Sequence, residues 1–350
     1  MNKRKVGVLL LFLLSFANCT SVKIGLFRGV MNVFGGKIYR SRFIALQDPK
    51  FISSNEADYL RDEEEVIGIC MNGVAKAYPL TMSFHHHIFN DEIGGKRVLV
   101  TFCPLTHTAM VFDPAVDGER AMNFIVEGGL KESNMIMLDD LTQSKWIQIT
   151  AGAIKGKKKG KRLDLLFALH TTWAVWKQLH PNTVVLSRDT GFDYDYSRFP
   201  FQEKYFRYKK TSHFMFKVSH RYNRYHPKEL ILVVEVGDSS KVYPFSNLQA
   251  KGVINDLVAQ APITVLYDTT SQTIVAFSRT FNEDVLDFRA EADSNCVKIK
   301  DSIYHSSWNF EGMAYEGACK GKFLKPVRSF KAFWFAWIAF HPETAVYGGK

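Results

Sequence analysis

The chain carries one pattern twice, and this constrains its fold more than any other feature. Tyr78-Pro79, Asn90-Asp91, Thr108 and Phe112 recur as Tyr243-Pro244, Asn255-Asp256, Thr273 and Phe277, each pair 165 positions apart. Further on, Trp173, Trp176, His180-Pro181 and Thr183 recur as Trp334, Trp337, His341-Pro342 and Thr344, now 161 apart, so four positions drop out between the blocks. A repeat of this length predicts two copies of one folding unit. A residue kept in both copies then serves the shared fold, whereas a reactive residue present once marks function. By that criterion any chemistry belongs to the first copy.

The local pattern within each copy is mostly that of strands. Val66, Ile67, Ile69 and Val74, Ala75, Ala77 flank Asn72-Gly73, which reads as a hairpin with an Asn-Gly turn; Ile231 to Val234 and Val242-Tyr243 around Asp238-Ser239 repeat it. Alternating or β-branched runs at 98–102, 108–112, 124–126, 135–138 and 146–149 add further strands. Only residues 172–179 and 333–340 space their aromatic side chains as a helix does, and each run stops at a His-Pro pair, since proline disfavours helix at the residue before it. The expected fold is therefore α+β and predominantly antiparallel β. Two duplicated β-rich lobes, each closed by a C-terminal helix, are expected to pack about a pseudo-twofold axis.

At 350 residues the chain is long enough for two cores, and its 46% hydrophobic and 14% aromatic content is that of a globular protein. The expected divisions are a signal peptide at 1–18, a tether at 19–43, a first lobe at 44–189, a connector at 190–228 and a second lobe at 229–350. The leader reading rests on Lys3-Arg4-Lys5 followed by an apolar run at 6–14 that is too short to span a bilayer. Two processing outcomes compete: lipid attachment at Cys19, as in bacterial lipoproteins that begin Cys-Thr-Ser, or ordinary cleavage after Ala17. Either one exports the protein: the first leaves it lipid-anchored in the cell envelope, the second gives a soluble secreted or periplasmic protein. The connector holds Phe192, Tyr194, Tyr196, Tyr205, Phe206 and Tyr208, so it is expected to wrap the lobes rather than hang free; an aromatic groove for a ligand is the alternative.

Without residues 1–18 the net charge falls from +10 to about +7 (10 minus 3), and much of that sits at residues 155–162. Glycines punctuate this stretch, so it reads as a solvated turn; anionic lipid or cell-wall polymer is the functional alternative. No recognition motif supports nucleic acid. Neither a phosphate-binding glycine loop nor a dinucleotide fingerprint is present. Besides Cys19 there are Cys70, Cys103, Cys296 and Cys319, too few in so long a chain for a disulfide scaffold.

Several stretches together carry a family resemblance: Ala77-Tyr78-Pro79-Leu80, Phe89-Asn90-Asp91, Cys103-Pro104-Leu105, Lys145-Trp146-Ile147-Gln148, His180-Pro181-Asn182-Thr183 and Asp189-Thr190-Gly191. From about Asp48 to the end the chain resembles the domain-of-unknown-function family 3179 of bacteria and archaea. The resemblance implies a shared fold and no assigned activity. Family members usually carry a second cysteine three residues after the first, then glycine, where this chain has Thr106 and His107. They also usually show Trp-His-Glu where this chain has His85-His86-His87. A redox dithiol within that motif needs two sulfurs and is excluded here.

Cys103, His107 and the His85 to His87 run align with Asp268, Gln272 and Ala250-Lys251-Gly252, so all are specific to the first copy. Thiolate and imidazole are natural ligands of zinc or copper, and His86, Cys103 and His107 form a candidate metal set if their strands are adjacent. Extended backbone would turn His85 and His87 away from His86. Cys103 is also a candidate catalytic nucleophile with a histidine base, provided it is partly exposed with a lowered pKa. The leading expectation is a lipid-anchored envelope protein acting as a binding or scaffold module. The alternative is a metal- or thiol-dependent enzyme with its site around Cys103, His86 and His107.

Overall fold

A computed structural model describes residues 43–197, 202–219, 223–248, 251–293 and 296–348, with three short strand segments before residue 43. The leader and Cys19 lie outside the described residues.

The fold is α+β and predominantly antiparallel β, with four short helices among the described residues. In the first half one five-stranded sheet runs Leu169–Thr172, Glu65–Met71, Val74–Pro79, Val184–Leu186, Phe51–Ser53; a second runs Asp164–Leu166, Thr108–Asp113, Lys96–Cys103, Ile88–Ile93, Leu46–Gln47. A four-stranded sheet, Phe124–Lys131 to Gly152–Lys155, completes it. The second half follows the same order, with sheets built on Leu230–Val236, on Ala261–Asp268 and on Cys296–Asp301.

The repeated residues make the same bonds in both halves. Tyr78 donates its hydroxyl hydrogen to Asp91 at 2.5 Å, and Tyr243 to Asp256 at 2.9 Å. The Asn90 amide closes onto the backbone of Phe124, and that of Asn255 onto Phe288. The indole N–H groups of Trp146 and Trp308 donate to Asp139 and Asp301, each at 2.9 Å. Such buried donors would each cost about 1–3 kcal/mol if orphaned, which is why these residues recur. The Asn-Gly turn is as expected, with Asn72 and Gly73 both at positive φ. Its counterpart falls at Gly237-Asp238, one residue earlier than the sequence pattern suggests.

Helices α2 (Trp173–Leu179) and α4 (Trp334–Ile338) are the expected closing elements. Trp176 lies so close to the first sheet that a Cβ on Gly68 would come within 2.2 Å of its ring, so only glycine fits there. Two helices were not foreseen. Helix α1 (Leu80–His86) takes in most of the histidine run, where extended backbone was expected. It lacks a side-chain cap, and buried Leu80, Met82 and Phe84 hold it against the sheet; packing rather than propensity makes it a helix. Helix α3 (Gln202–Lys210) lies in the connector, with Tyr205 and Tyr208 buried and the intervening side chains outward. Of the connector's described aromatic side chains, Tyr196, Tyr205 and Tyr208 are buried as expected and Phe192, Tyr194 and Phe214 pack against the core, whereas Phe206 and Phe216 are exposed.

The halves meet strand against strand. Thr108–Asp113 lies beside Ser329–Phe333, and Leu169–Thr172 beside Thr273–Ser278. The Phe333 amide donates to the Thr106 carbonyl at 2.9 Å, and the hydroxyls of Thr171 and Thr273 are 2.5 Å apart.

Candidate functional site

Strand register brings the first two residues of the site together. Leu169–Thr172 pairs antiparallel with Glu65–Met71 so that Thr172 faces Glu65 and His170 faces Ile67. Glu65 and Ile67 share a face, so Glu65 and His170 are diagonal neighbours on it. The Nε2 atom of His170 lies 2.6 Å from Oε2 of Glu65. His107 enters from the turn between Cys103 and Thr108, held at a φ of 53°. Its Nε2 lies 3.4 Å from the same carboxylate oxygen. Its ring stacks on Phe333 of the second half and lies 5.2 Å from the His170 ring.

His107 is 1% exposed, and its Nδ1 is 2.9 Å from the Tyr205 hydroxyl, so α3 covers the site. Lys331 is 2% exposed and donates to the Gln272 carbonyl at 2.7 Å. A cavity of about 30 Å³, room for roughly one water molecule, lies beside His170 and Lys331.

Four buried atoms here have no well-aligned hydrogen-bond partner: Glu65 Oε2, His107 Nε2 and both ring nitrogens of His170. The contacts of 2.6 and 3.4 Å are short, but they are not aligned for donation. Buried polar groups are rarely left so. Potential ligand atoms of Glu65, His107 and His170 all lie within 4.8 Å of one another.

The electrostatics suit a cation. Burial alone would raise the Glu65 carboxyl, but the adjacent imidazoles outweigh it and hold it well below the usual carboxylate range. Burial, reinforced by the Lys331 charge, pushes His170 down to about 3, and burial also lowers His107 against the pull of Glu65. At neutral pH the carboxylate is ionised and both imidazoles are neutral, the protonation state that metal ligands require. Burial brings Lys331 down to about 8 despite the attraction of Glu65.

Of the three residues expected from sequence, only His107 is in this cluster. His86 is fully buried in α1, with Nδ1 2.7 Å from the Ile44 carbonyl and Nε2 2.6 Å from the Tyr196 hydroxyl. Both of its nitrogens are engaged. His85 packs against Tyr194, and His87 stacks on Phe43. Cys103 is 2% exposed, and burial pushes its thiol up. That is the reverse of the exposed, acidic setting a reactive thiolate needs. Cys70, Cys103 and Cys319 are free. The basic stretch at 155–162 is a turn, as expected, and acids answer several of its cations: Lys158 pairs with Glu119, Lys161 with Asp117 and Arg162 with Glu235.

Sequence reasoning missed Glu65, His170, Lys331 and Tyr205. The repeat held the signal for two of them: Glu65 aligns with Leu230 and His170 with Lys331, so both were specific to the first half.

Fold and site together define a β-rich protein with a buried carboxylate–imidazole cluster where its halves meet. The chain belongs to the protein-of-unknown-function family DUF3179, whose match covers residues 42–344. Comparison with curated proteins and with solved structures finds no match.

Proposed function

We propose that this protein binds one divalent transition-metal ion, with Glu65, His107 and His170 as its ligands. The observation that carries this reading is the convergence of unpartnered buried nitrogens on one carboxylate oxygen. Two imidazoles and a carboxylate form a donor set that suits zinc and leaves a fourth position for water. Around a tetrahedral ion with bonds near 2.0–2.2 Å the ligand atoms sit about 3.4 Å apart, so Glu65 and His107 already have that spacing while Glu65 and His170, at 2.6 Å, must separate by somewhat under an ångström. Tyr205 supplies the outer partner that fixes a ligand histidine: Nδ1–H donating to its hydroxyl leaves Nε2 free for the metal.

The role that fits is a metal-binding module rather than an enzyme for a bulky substrate, since the adjoining cavity holds about one water. Sequence alone supports its location: the basic, apolar leader and Cys19-Thr20-Ser21 suit an exported, lipid-anchored envelope protein. Labelling with radioactive fatty acid, lost in Cys19→Ser, tests the anchor. Titration with Co(II) tests the site: a visible absorption band of a low-symmetry complex at one equivalent supports it, and a spectrum no different from aqueous Co(II) refutes it.

A further inference from the structure

The connector has two faces. Tyr205 and Tyr208 turn inward from α3, while Lys204, Phe206, Arg207 and Lys210 are exposed. Phe206 is 46% exposed, and Met215 and Phe216 shortly after it are 48% and 51% exposed. Over residues 203–217 five cations, Lys204, Arg207, Lys209, Lys210 and Lys217, stand against a single acid, Glu203, for a net charge of +4 (5 minus 1). In the other basic stretch, 155–162, three of the six cations pair with neighbouring acids.

We propose that residues 203–217 are a docking surface for a bilayer rich in anionic phospholipid. Cations and large apolar side chains exposed on one short segment match the two layers of such an interface. Lys204, Arg207, Lys210 and Lys217 meet headgroup phosphates, while Phe206, Met215 and Phe216 enter the acyl boundary. Charge alone would suit any polyanion. The exposed aromatic and thioether side chains decide for the bilayer, because a soluble polyanion offers them no hydrocarbon. Docking rests on this surface alone and is independent of metal binding.

The test is hydrogen–deuterium exchange on the full chain with phosphatidylglycerol-containing vesicles, with phosphatidylcholine vesicles and with a soluble glycerol-phosphate polymer. Reading the 203–217 peptides separates this surface from any contact made by the N-terminal apolar run. Protection of these peptides on anionic vesicles alone is expected, fading in high salt. Lys210→Glu should weaken it by at least about fivefold, the worth of one charge near a membrane surface. Phe206→Ala with Phe216→Ala should weaken it too, while thermal unfolding stays that of the wild type. No vesicle-dependent protection at 203–217 overturns the proposal. Equal protection by the soluble polymer, unchanged by the two alanine substitutions, overturns it in favour of a polyanion.

Discussion

Lys331 occupies in the second half the register position that His170 occupies in the first. His170 pairs with Ile67 and Lys331 with Leu232, residues 165 positions apart, and both side chains line the same small cavity. In the proposed site one half thus supplies a ligand and the other a cation beside it. The ammonium opposes a bound metal ion and helps to hold His170 unprotonated. Lys331→Gln keeps a donor for the Gln272 carbonyl while removing the charge. It should raise the His170 pKa, followed by imidazole NMR, and tighten Co(II) binding by about tenfold.

The Tyr205 hydroxyl is the outer partner of His107. Tyr205→Phe removes one oxygen and little volume, so the fold should persist. Metal affinity should fall by about 10–100-fold, as is usual when a ligand histidine loses its supporting hydrogen bond. Competition against a chelator of known affinity measures it.

Burial makes Cys103 inert. Among the cysteines whose side chains are described, Cys70 alone is exposed, and it should react with a maleimide in the folded protein. Cys103 and Cys319 should react only on unfolding, as read by peptide mass spectrometry. Rapid modification of Cys103 in folded protein would restore the thiol reading.

Acid should destabilise the fold through His87, whose burial lowers its pKa to about 4. An unfolded histidine titrates near 6.5, so between the two values the unfolded chain binds the extra proton. Stability is therefore full above about pH 6.5 and is lost as the pH falls, by about 3 kcal/mol in all at this residue. His87→Asn tolerates the positive φ at this position and removes the titration. Its urea midpoint should fall less than that of the wild type between pH 7.5 and 4.5.

The repeat made the fold class and the closing helices legible, because each depends on local residues kept in both copies, and the Asn-Gly turn was legible from its own two residues. Helix α1 was not legible, because it owes its helicity to the sheet beneath it. The site was half legible. His107 stood out as a reactive residue in one copy, but Glu65 and His170 meet only through the register of strands about a hundred positions apart. His86 and Cys103 passed the same sequence criterion and proved to be core, since a copy-specific residue can serve local packing as readily as chemistry.

The most direct test of the account is elemental analysis with zinc calorimetry on the full chain, purified without chelator or affinity histidines, beside a His107→Ala, His170→Ala variant. The account predicts about one equivalent of metal in the wild type, none in the folded variant, and no loss in His86→Ala or Cys103→Ser. Metal-free wild type that takes up no zinc, or metal retained by the double variant, would contradict it.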